Sequence, residues 1–242
     1  MSKSIKPYYK DNQSKKDEVA EMFNNISKRY DFLNHFLSMG IDKIWRKKAI
    51  KILGKNKPKV ILDIATGTGD FAVEALKLNP TKVIGIDISQ GMLDVGIEKM
   101  KKKKVDHIIE LQLEDSESLS FEDNYFDGYT IGFGIRNFEH VEKSLVEMLR
   151  VLKPSGKAVI LEFSKPKKFP IKHLFHVYSK YILPKIGKLV SKDARAYTYL
   201  PESIDAFPEG EAFMSLMKKA GYKDVNSKLV SGGIATIYYG SK

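Results

Sequence analysis

The sequence predicts an α/β fold with a mostly parallel, Rossmann-like sheet. The main observation is a unit beginning at residue 60: the apolar run VILDI, the glycine loop TGTGD and a helical segment. A second apolar run at residues 83–86 then ends in Asp87. A strand, a glycine loop, a helix and an acid-terminated strand form half of a nucleotide-binding fold. We therefore predict a ligand site at the carboxyl ends of these strands.

The glycine loop indicates which kind of nucleotide ligand to expect. Gly67 and Gly69 let the backbone turn sharply and bring its N–H groups close to a ligand. The third glycine of the dinucleotide fingerprint, which serves helix packing around a pyrophosphate, is missing. Asp63 would repel a pyrophosphate but attract an ammonium group, and Asp87 lies near the offset typical of a ribose-binding acid. These features favour S-adenosylmethionine over NAD or FAD.

Length and composition indicate a single domain of a cytoplasmic protein. The chain has 242 residues, which suits one α/β domain, and its lack of cysteine excludes disulfides and thiolate chemistry. No apolar run approaches the roughly 18 residues of a membrane-spanning helix. The formal net charge of +11 indicates an anionic partner, either nucleic acid or the inner membrane surface, and charge alone does not choose between them.

A helical lid is predicted over residues 1–57. Residues 1–16 are polar and lysine-rich, which predicts a frayed arm. Apolar residues at helical spacing predict a helix from Asp17, and a second helix is expected at residues 44–53 with Trp45 as an aromatic core anchor.

Three polar residues near the end of the first predicted helix stand out from its apolar pattern: Tyr30, Asp31 and Asn34. Such a cluster is expected to line a pocket.

The rest of a cofactor-binding core is predicted over residues 58–164. Ser89 is expected to cap the next helix. Further strands are predicted at residues 107–113, 126–133 and 157–163. Asp115 follows the third strand, where it would accept the adenine amino group. Arg136 and Asn137 follow the glycine-rich end of the fourth strand.

A cap is predicted over residues 165–207, followed by a C-terminal unit at 208–242 with one helix and two strands. The cap mixes aromatic and cationic residues. It is compatible with a helix packed over the sheet edge and with a lid that is apolar beneath and basic outside, which would admit a lipid tail at a membrane surface. The two interpretations can hold together.

Four motifs resemble those of one family, the quinone-biosynthesis C-methyltransferases that act on demethylmenaquinol and on the ubiquinol precursor. They are YDFLN at residues 30–34 with Ser38 and Trp45, the loop TGTGD, the run FGIRN at 133–137, and RVLKPSG at 150–156 followed by EFS at 162–164. The resemblance implies a class I methyltransferase fold, whose seven-stranded sheet is mostly parallel with an antiparallel C-terminal strand.

The resemblance also implies the ligands and their contacts. It implies S-adenosylmethionine as methyl donor, a prenylated quinol as substrate, and cofactor contacts at Thr68, Asp87, Asp115, Ser116 and Gly132. Gly132 stands where the family often has serine, so its contact is expected through the backbone.

The implied chemistry needs no metal, because the methyl sulfonium is already a strong electrophile. A quinol hydroxyl with a pKa near about 10 must ionise to activate the neighbouring ring carbon. Arg136 cannot act as a base, but it is predicted to be the main catalytic residue by stabilising the phenolate, with Asn137 and Tyr30 holding a water or the second quinol oxygen. The alternative for Arg136 is a salt bridge to Asp31 or Glu162 that fixes the lid.

An RNA methyltransferase or RNA-binding module is the rival that the charge suggests. The chain lacks an NPPY-like tetrad, and its aromatic residues do not interleave with arginines as stacking sites would, so no nucleic-acid partner is expected. The sequence leaves open the naphthoquinol or benzoquinol head group, the prenyl length, and whether the chain forms a homodimer.

Overall fold

The computed structural model describes residues 5–38, 40–177, 181 and 194–242, without the side chains of residues 29, 31–37, 176, 194 and 197. Within these ranges the chain forms one sheet flanked by helices. The predicted α/β class is confirmed.

The described strands form a seven-stranded sheet in the order β3-β2-β1-β4-β5-β7-β6. Their bounds are β1 Val60–Ile64, β2 Lys82–Asp87, β3 Ile109–Leu113, β4 Phe126–Gly132, β5 Leu152–Phe163, β6 Lys223–Val230 and β7 Ala235–Ser241. The first five strands pair in parallel, whereas β7 runs antiparallel to both β5 and β6. The predicted antiparallel ending is therefore confirmed. Because the chain order reverses beside β1, the carboxyl ends of β1 and β4 leave a crevice between them.

Helices cover both faces of the sheet in the described ranges. They are α1 Lys15–Leu37, α2 Ile41–Leu53, α3 Asp70–Ala75, α4 Gln90–Lys103, α5 Val141–Val151, α6 Ile171–Val177, α7 Ala194–Ala206 and α8 Glu211–Lys219. As predicted, Ser89 caps α4, and its hydroxyl accepts a hydrogen bond from the N–H of Met92. No helix of the described residues is both long and apolar enough to cross a membrane.

Successive residues of β1 point into two separate cores, as expected for a strand buried on both faces. Ile61 packs with the α2 and α3 side, and Leu62 packs with the α5 and α8 side. Trp45 is buried in the first of these cores, and its indole N–H donates to the hydroxyl of Ser231 at 2.8 Å. The predicted aromatic anchor is thus present.

The prediction of a frayed N-terminal arm is wrong for residues 5–14. The carboxylate of Glu18 accepts hydrogen bonds from the N–H groups of Tyr8, Tyr9 and Lys10 at 2.6, 2.9 and 2.8 Å, which folds the arm back onto α1. Residues 1–4 lie outside the described residues.

The last strand of the parallel set starts earlier than predicted. The strand was predicted to begin at residue 157, but β5 already begins at Leu152, which pairs with Phe126. The pairing is irregular there and resumes at Lys157 opposite Gly128. Ser155 takes a φ of 64°, so the bend is absorbed as a local irregularity within the strand.

The cap is described in part. α6 and α7 belong to it, whereas residues 178–180 and 182–193 lie outside the described residues. The lid predicted over residues 165–207 therefore lies partly outside the described residues.

Candidate active site

A cleft opens at the carboxyl ends of β1, β2 and β4, beneath α1. Its volume, counted with its open mouth, is about 700 Å³, which is within the range of small-molecule sites. Its lining combines apolar side chains with a few polar groups: Lys16, Val19, Phe23, Tyr30, Ile64, Ala65, Gly67, Ile86, Asp87, Ile88, Met92, Glu114, Asp115, Ser116, Glu117, Gly132, Phe133, Gly134, Asn137, Phe138 and Glu139.

The carboxylate of Asp87 is fixed at the centre of one wall. The N–H of Gly67, where φ is 57°, donates to Oδ2 at 2.8 Å, and the N–H of Ser89 donates to Oδ1 at 2.9 Å. Burial raises the pKa of Asp87, while these backbone hydrogen bonds act in the opposite direction. Each carboxylate oxygen has more than one lone pair, so both can still accept ligand hydroxyls.

The structure does not bring Asp63, which was predicted to attract a ligand ammonium group, to the surface of the cleft. The side chain is fully buried and does not line the cleft. Its carboxylate accepts hydrogen bonds from the Thr66 hydroxyl at 2.5 Å, the Thr130 hydroxyl at 2.7 Å and the Ala72 N–H at 3.1 Å. Burial outweighs these donors and raises the pKa of Asp63 to about 6. Asp63 therefore fixes the shape of the glycine loop from beneath.

Thr68 and Gly69 also support the loop without lining the cleft. The buried hydroxyl of Thr68 accepts a hydrogen bond from Nζ of Lys99 at 2.9 Å. Gly69 has a φ of 83° and starts α3, and a Cβ there would lie 2.7 Å from Cε of Met100. The structure thus does not bring these two predicted cofactor residues to the cleft surface.

Asp115 and Ser116 do line the cleft at its far end. One oxygen of Asp115 accepts the N–H of Glu117 at 2.9 Å, and the other forms an ion pair with Nζ of Lys16 at 2.8 Å. The hydroxyl of Ser116 lies 3.4 Å from that of Ser144. Asp115, which was predicted to accept an adenine amino group, thus lies at the cleft and forms an ion pair with Lys16 in this structure.

Gly132 lines the opposite wall, where a larger residue would require Phe71 to move. A Cβ at this position would lie 2.6 Å from Cδ2 of Phe71, closer than two such carbons can approach. Gly132 therefore faces the cleft with its backbone, through which its cofactor contact was predicted.

Tyr30 and Asn137 close the cleft from the side of α1 and the 3-10 turn Ile135–Asn137. Cε1 of Tyr30 lies 3.9 Å from the position that a Cβ of Gly67 would take, so the ring covers the glycine loop. Asn137 is 6% exposed, and its Oδ1 makes no hydrogen bond within the described part of the chain. An unpaired buried amide oxygen costs about 1–3 kcal/mol, which a ligand or a water at this site would offset.

Arg136 lies next to Asn137 but points away from the cleft. Its Nη1 forms a buried ion pair with Oε1 of Glu162 at 2.8 Å and also donates to the carbonyl of Phe133. Its Nε donates to the hydroxyl of Ser203 at 3.2 Å. The geometry matches the salt-bridge alternative with Glu162, and it does not place the guanidinium against a substrate.

Asp31 and Asn34 are the other polar residues that were predicted to line a pocket with Tyr30. The side chains of Asp31 and Asn34 lie outside the described residues, so the proposed pairing of Asp31 with Arg136 is not addressed. Among the described residues, no group of three or more histidine, aspartate or glutamate side chains is arranged to hold a metal ion.

Comparison with known proteins places the chain in a family. The family model described as "ubiE/COQ5 methyltransferase family" matches residues 11–242. The chain belongs to this methyltransferase family. It is 50% identical over 239 residues to a demethylmenaquinone methyltransferase of Bacteroides fragilis, covering 98% of this chain and 97% of that protein.

Two further similarities support the family and the fold. The chain is 45% identical to the ubiquinone/menaquinone biosynthesis C-methyltransferase UbiE of Citrifermentans bemidjiense, covering 94% of this chain and 97% of that protein. A crystal structure of a SAM-dependent methyltransferase from Thermotoga maritima superposes with a TM-score of 0.62 at 20% identity, covering 92% of this chain and 99% of that one. The predicted class I methyltransferase fold is therefore confirmed.

Sequence reasoning missed the contribution of the first turn of α1 to the cleft of this methyltransferase. Lys16 lines the cleft, and Lys15 contacts the turn that carries Asn137. The signal was present as a capping box: the Ser14 hydroxyl accepts the N–H of Asp17 at 3.1 Å, and the Asp17 carboxylate accepts the N–H of Ser14 at 3.3 Å. That pattern would have started the helix at residue 15 and moved both lysines out of the arm.

Proposed function

We propose that this chain transfers a methyl group from S-adenosylmethionine to a ring carbon of a prenylated hydroquinone, and that the substrate is demethylmenaquinol. The observation that carries the proposal is the cleft itself. The fixed carboxylate of Asp87 lies on one wall, and the amide oxygen of Asn137, which makes no hydrogen bond within the described residues, lies on the other. The name of the Bacteroides fragilis relative supports the choice of substrate.

The residues of the cleft fit the proposed methyl donor. Asp87 has spare lone pairs for the two ribose hydroxyls, and Asp115 with Ser116 lies at the end where an adenine would bind. Gly67 and Gly132 keep two walls free of side chains. When bound, S-adenosylmethionine supplies an electrophilic methyl group, so that the protein has only to orient and ionise the substrate.

Ionisation of the quinol is the step that the substrate wall, formed by α1 and the turn Ile135–Asn137, must assist. A phenol-like pKa near about 10 must fall toward neutrality, and each unit corresponds to about 1.4 kcal/mol of preferential binding of the phenolate. We propose that the Asn137 amide, in its water-poor position, holds one quinol oxygen or the water that carries its proton away. Tyr30 would hold the ring over the glycine loop.

Arg136 contributes indirectly to the proposed mechanism. Its guanidinium neutralises the buried carboxylate of Glu162 and braces the turn that presents Asn137. Its role is thus to support the neighbouring amide, and the contact with the quinol hydroxyl or its water is left to Asn137.

We also propose a weak contact of the cap with an anionic membrane surface, which would give the protein access to a lipid-tailed quinol. The segment around α6 exposes large apolar side chains among lysines, a composition typical of interfacial segments. The exposed residues are Phe169, Leu174 and Val177 together with Lys167, Lys168 and Lys172. Sedimentation with anionic vesicles should fall as salt rises, and binding indifferent to salt and to lipid charge would contradict the contact.

Methyl transfer is tested by incubating the full chain with S-adenosylmethionine labelled in its methyl group. Reduced and oxidised demethylmenaquinone and the reduced benzoquinol precursor are offered separately, and the labelled quinone is identified by mass. We expect label in the reduced naphthoquinol, because only the quinol has a hydroxyl that can ionise. Equal labelling of the oxidised form would contradict the mechanism, and preferential labelling of the benzoquinol would change the substrate assignment.

A further inference from the structure

Lys15 is a buried cation outside the residues that line the cleft. It lies in the first turn of α1, and its side chain reaches across to the 3-10 turn of Asn137. Its Nζ donates to the carbonyl of Arg136 at 3.0 Å and to the carbonyl of Phe138 at 2.9 Å. These are the two carbonyls on either side of Asn137.

The position of Lys15 is locally unfavourable. A cation in the first turn of a helix opposes the helix dipole, and burial adds the cost of removing its charge from water. Burial and the nearby guanidinium of Arg136 lower the pKa of Lys15 to about 8, against a smaller opposite effect of Glu139. The contacts with the turn must offset these costs, so a role in fold stability alone explains the placement poorly.

We propose that Lys15 is a positioning residue, which clamps the two carbonyls beside Asn137 and so holds the amide of that residue at the cleft. The proposal rests on the proposed function, because it takes Asn137 as the group that acts on the quinol. A cation is well suited to the task, since the carbonyls at the end of a 3-10 turn carry partial negative charge.

The clamp also joins the two parts of the substrate wall. α1 supplies Lys16 and Tyr30 to the cleft, and the backbone N–H of Lys15 donates to the carboxylate of Glu139 at 3.1 Å, just beyond the turn. The first turn of α1 is thus tied to the segment 136–139 by three hydrogen bonds. The register of α1 and the position of the Asn137 amide are therefore set together.

Three variants of the full chain test the clamp by steady-state kinetics with demethylmenaquinol. Lys15→Met keeps the apolar stem and loses the donors, and it should lower kcat by about 10- to 100-fold, as expected for a displaced catalytic group. Lys15→Arg restores donors and should recover part of the rate. Lys10→Met removes a lysine of the same arm, whose exposed Nζ pairs with Glu21, and should leave kcat unchanged.

Affinity for S-adenosylmethionine separates positioning from general damage. The side chain of Lys15 donates to the carbonyls of Arg136 and Phe138 and not to the cofactor wall, which residues 60–89 form. The Kd of Lys15→Met should therefore stay within about twofold of that of the unchanged protein. Amide hydrogen exchange of residues 137 and 138 in the free protein should become faster, since their N–H groups are held within the turn by the carbonyls of Gly134 and Ile135. A lower Tm with a normal kcat in the folded fraction would assign Lys15 to stability and overturn the proposal.

The double variant Lys15→Met/Asn137→Ala decides whether the effect passes through Asn137. If it does, the double variant is no slower than Asn137→Ala alone. A full additional loss would overturn the clamp. A slow Asn137→Ala with a normal Lys15→Met would also overturn the clamp but leave the proposed function intact. A normal rate for Asn137→Ala would remove this amide from the mechanism, and the clamp with it, whereas no methyl transfer by the unchanged protein would overturn the proposed function itself.

Discussion

The two walls of the cleft are built in different ways. The cofactor wall comes mainly from one stretch, residues 60–89. The carboxylate of Asp87 in this wall, and that of Asp63 buried beneath the glycine loop, are held by hydrogen bonds from the same stretch and from Thr130. The substrate wall combines the start of α1, the turn at 135–137 and α7, which are brought together only by the fold.

We infer from this difference that the cofactor wall is rigid and that the substrate wall adjusts when a ligand binds. On the cofactor wall the polar groups are satisfied before any ligand binds, as a preorganised site requires. On the substrate wall the amide oxygen of Asn137 has no partner within the described residues, and Asp115 at the edge between the walls holds Lys16. We therefore expect changes in the substrate wall to affect turnover, and changes in the cofactor wall to affect affinity.

The largest effect is expected at Arg136, where the substrate wall depends on a buried charge pair. Arg136→Ala leaves Glu162, which is fully buried, without its cation, and should lower the free energy of unfolding by about 3–5 kcal/mol. Urea denaturation measures it. Lys219→Ala, which breaks an exposed pair with Glu142, is the control and should cost at most about 1 kcal/mol.

A second variant keeps the Arg136 test informative if the first one does not fold. Arg136→Ala/Glu162→Gln removes the unpaired charge and should recover part of the lost stability. Normal stability of Arg136→Ala together with a large loss of kcat would contradict the supporting role and return this arginine to direct phenolate stabilisation.

Asn137 should give the next largest effect, and it should appear in the rate. Asn137→Ala removes a preorganised polar group, and kcat should fall by about 10²- to 10³-fold. Asn226→Ala, on the exposed strand β6, is the matched control and should be neutral. A normal kcat for Asn137→Ala in a folded protein would remove this amide from the mechanism.

Lys15 should give the substrate wall a pH dependence in the alkaline range. Below a pH of about 8 Lys15 is charged in both the folded and the unfolded state, so folding must bury the charge. Between about 8 and the ordinary value of 10.5 only the unfolded state holds the proton, so stability rises with pH.

Chemical denaturation of the unchanged protein and of Lys15→Met across this interval measures the effect of Lys15. The stability of the unchanged protein relative to the variant should grow by roughly 3 kcal/mol, from the size of the pKa change. A difference that stays flat with pH would show that Lys15 does not titrate in the folded protein in this range.

The sequence predicted the cofactor wall well because its signals are local. The run from Val60 to Asp87 contains the strand, the glycines and the terminal acid within one unit, so position along the chain nearly determines position in space. Asp63, Thr68 and Gly69 are the exceptions, because they do not line the cleft. A carboxylate before a glycine loop looks the same in sequence whether it faces the ligand or lies under the loop, and only the packing of Thr66 and Thr130 decides.

The substrate wall was harder to predict because its contacts are distant in sequence. Arg136 meets Glu162 and Ser203, which are 26 and 67 residues away. Lys15 meets the carbonyl of Phe138, which is 123 residues away. Periodicity contains no information on such pairs. The resemblance to a family identified the important residues, but it did not specify which of them face the cleft and which support it from behind.

The most direct test of the division between the two walls is a calorimetric titration of S-adenosylmethionine into Asp87→Ala and Asn137→Ala. Loss of the Asp87 carboxylate should weaken binding by about 1.5–3 kcal/mol, the range for hydrogen bonds to a charged group. Loss of the Asn137 amide should change it by less than about 0.5 kcal/mol, because that residue lies on the other wall. Equal losses in the two variants, or wild-type affinity in a folded Asp87→Ala, would contradict the account.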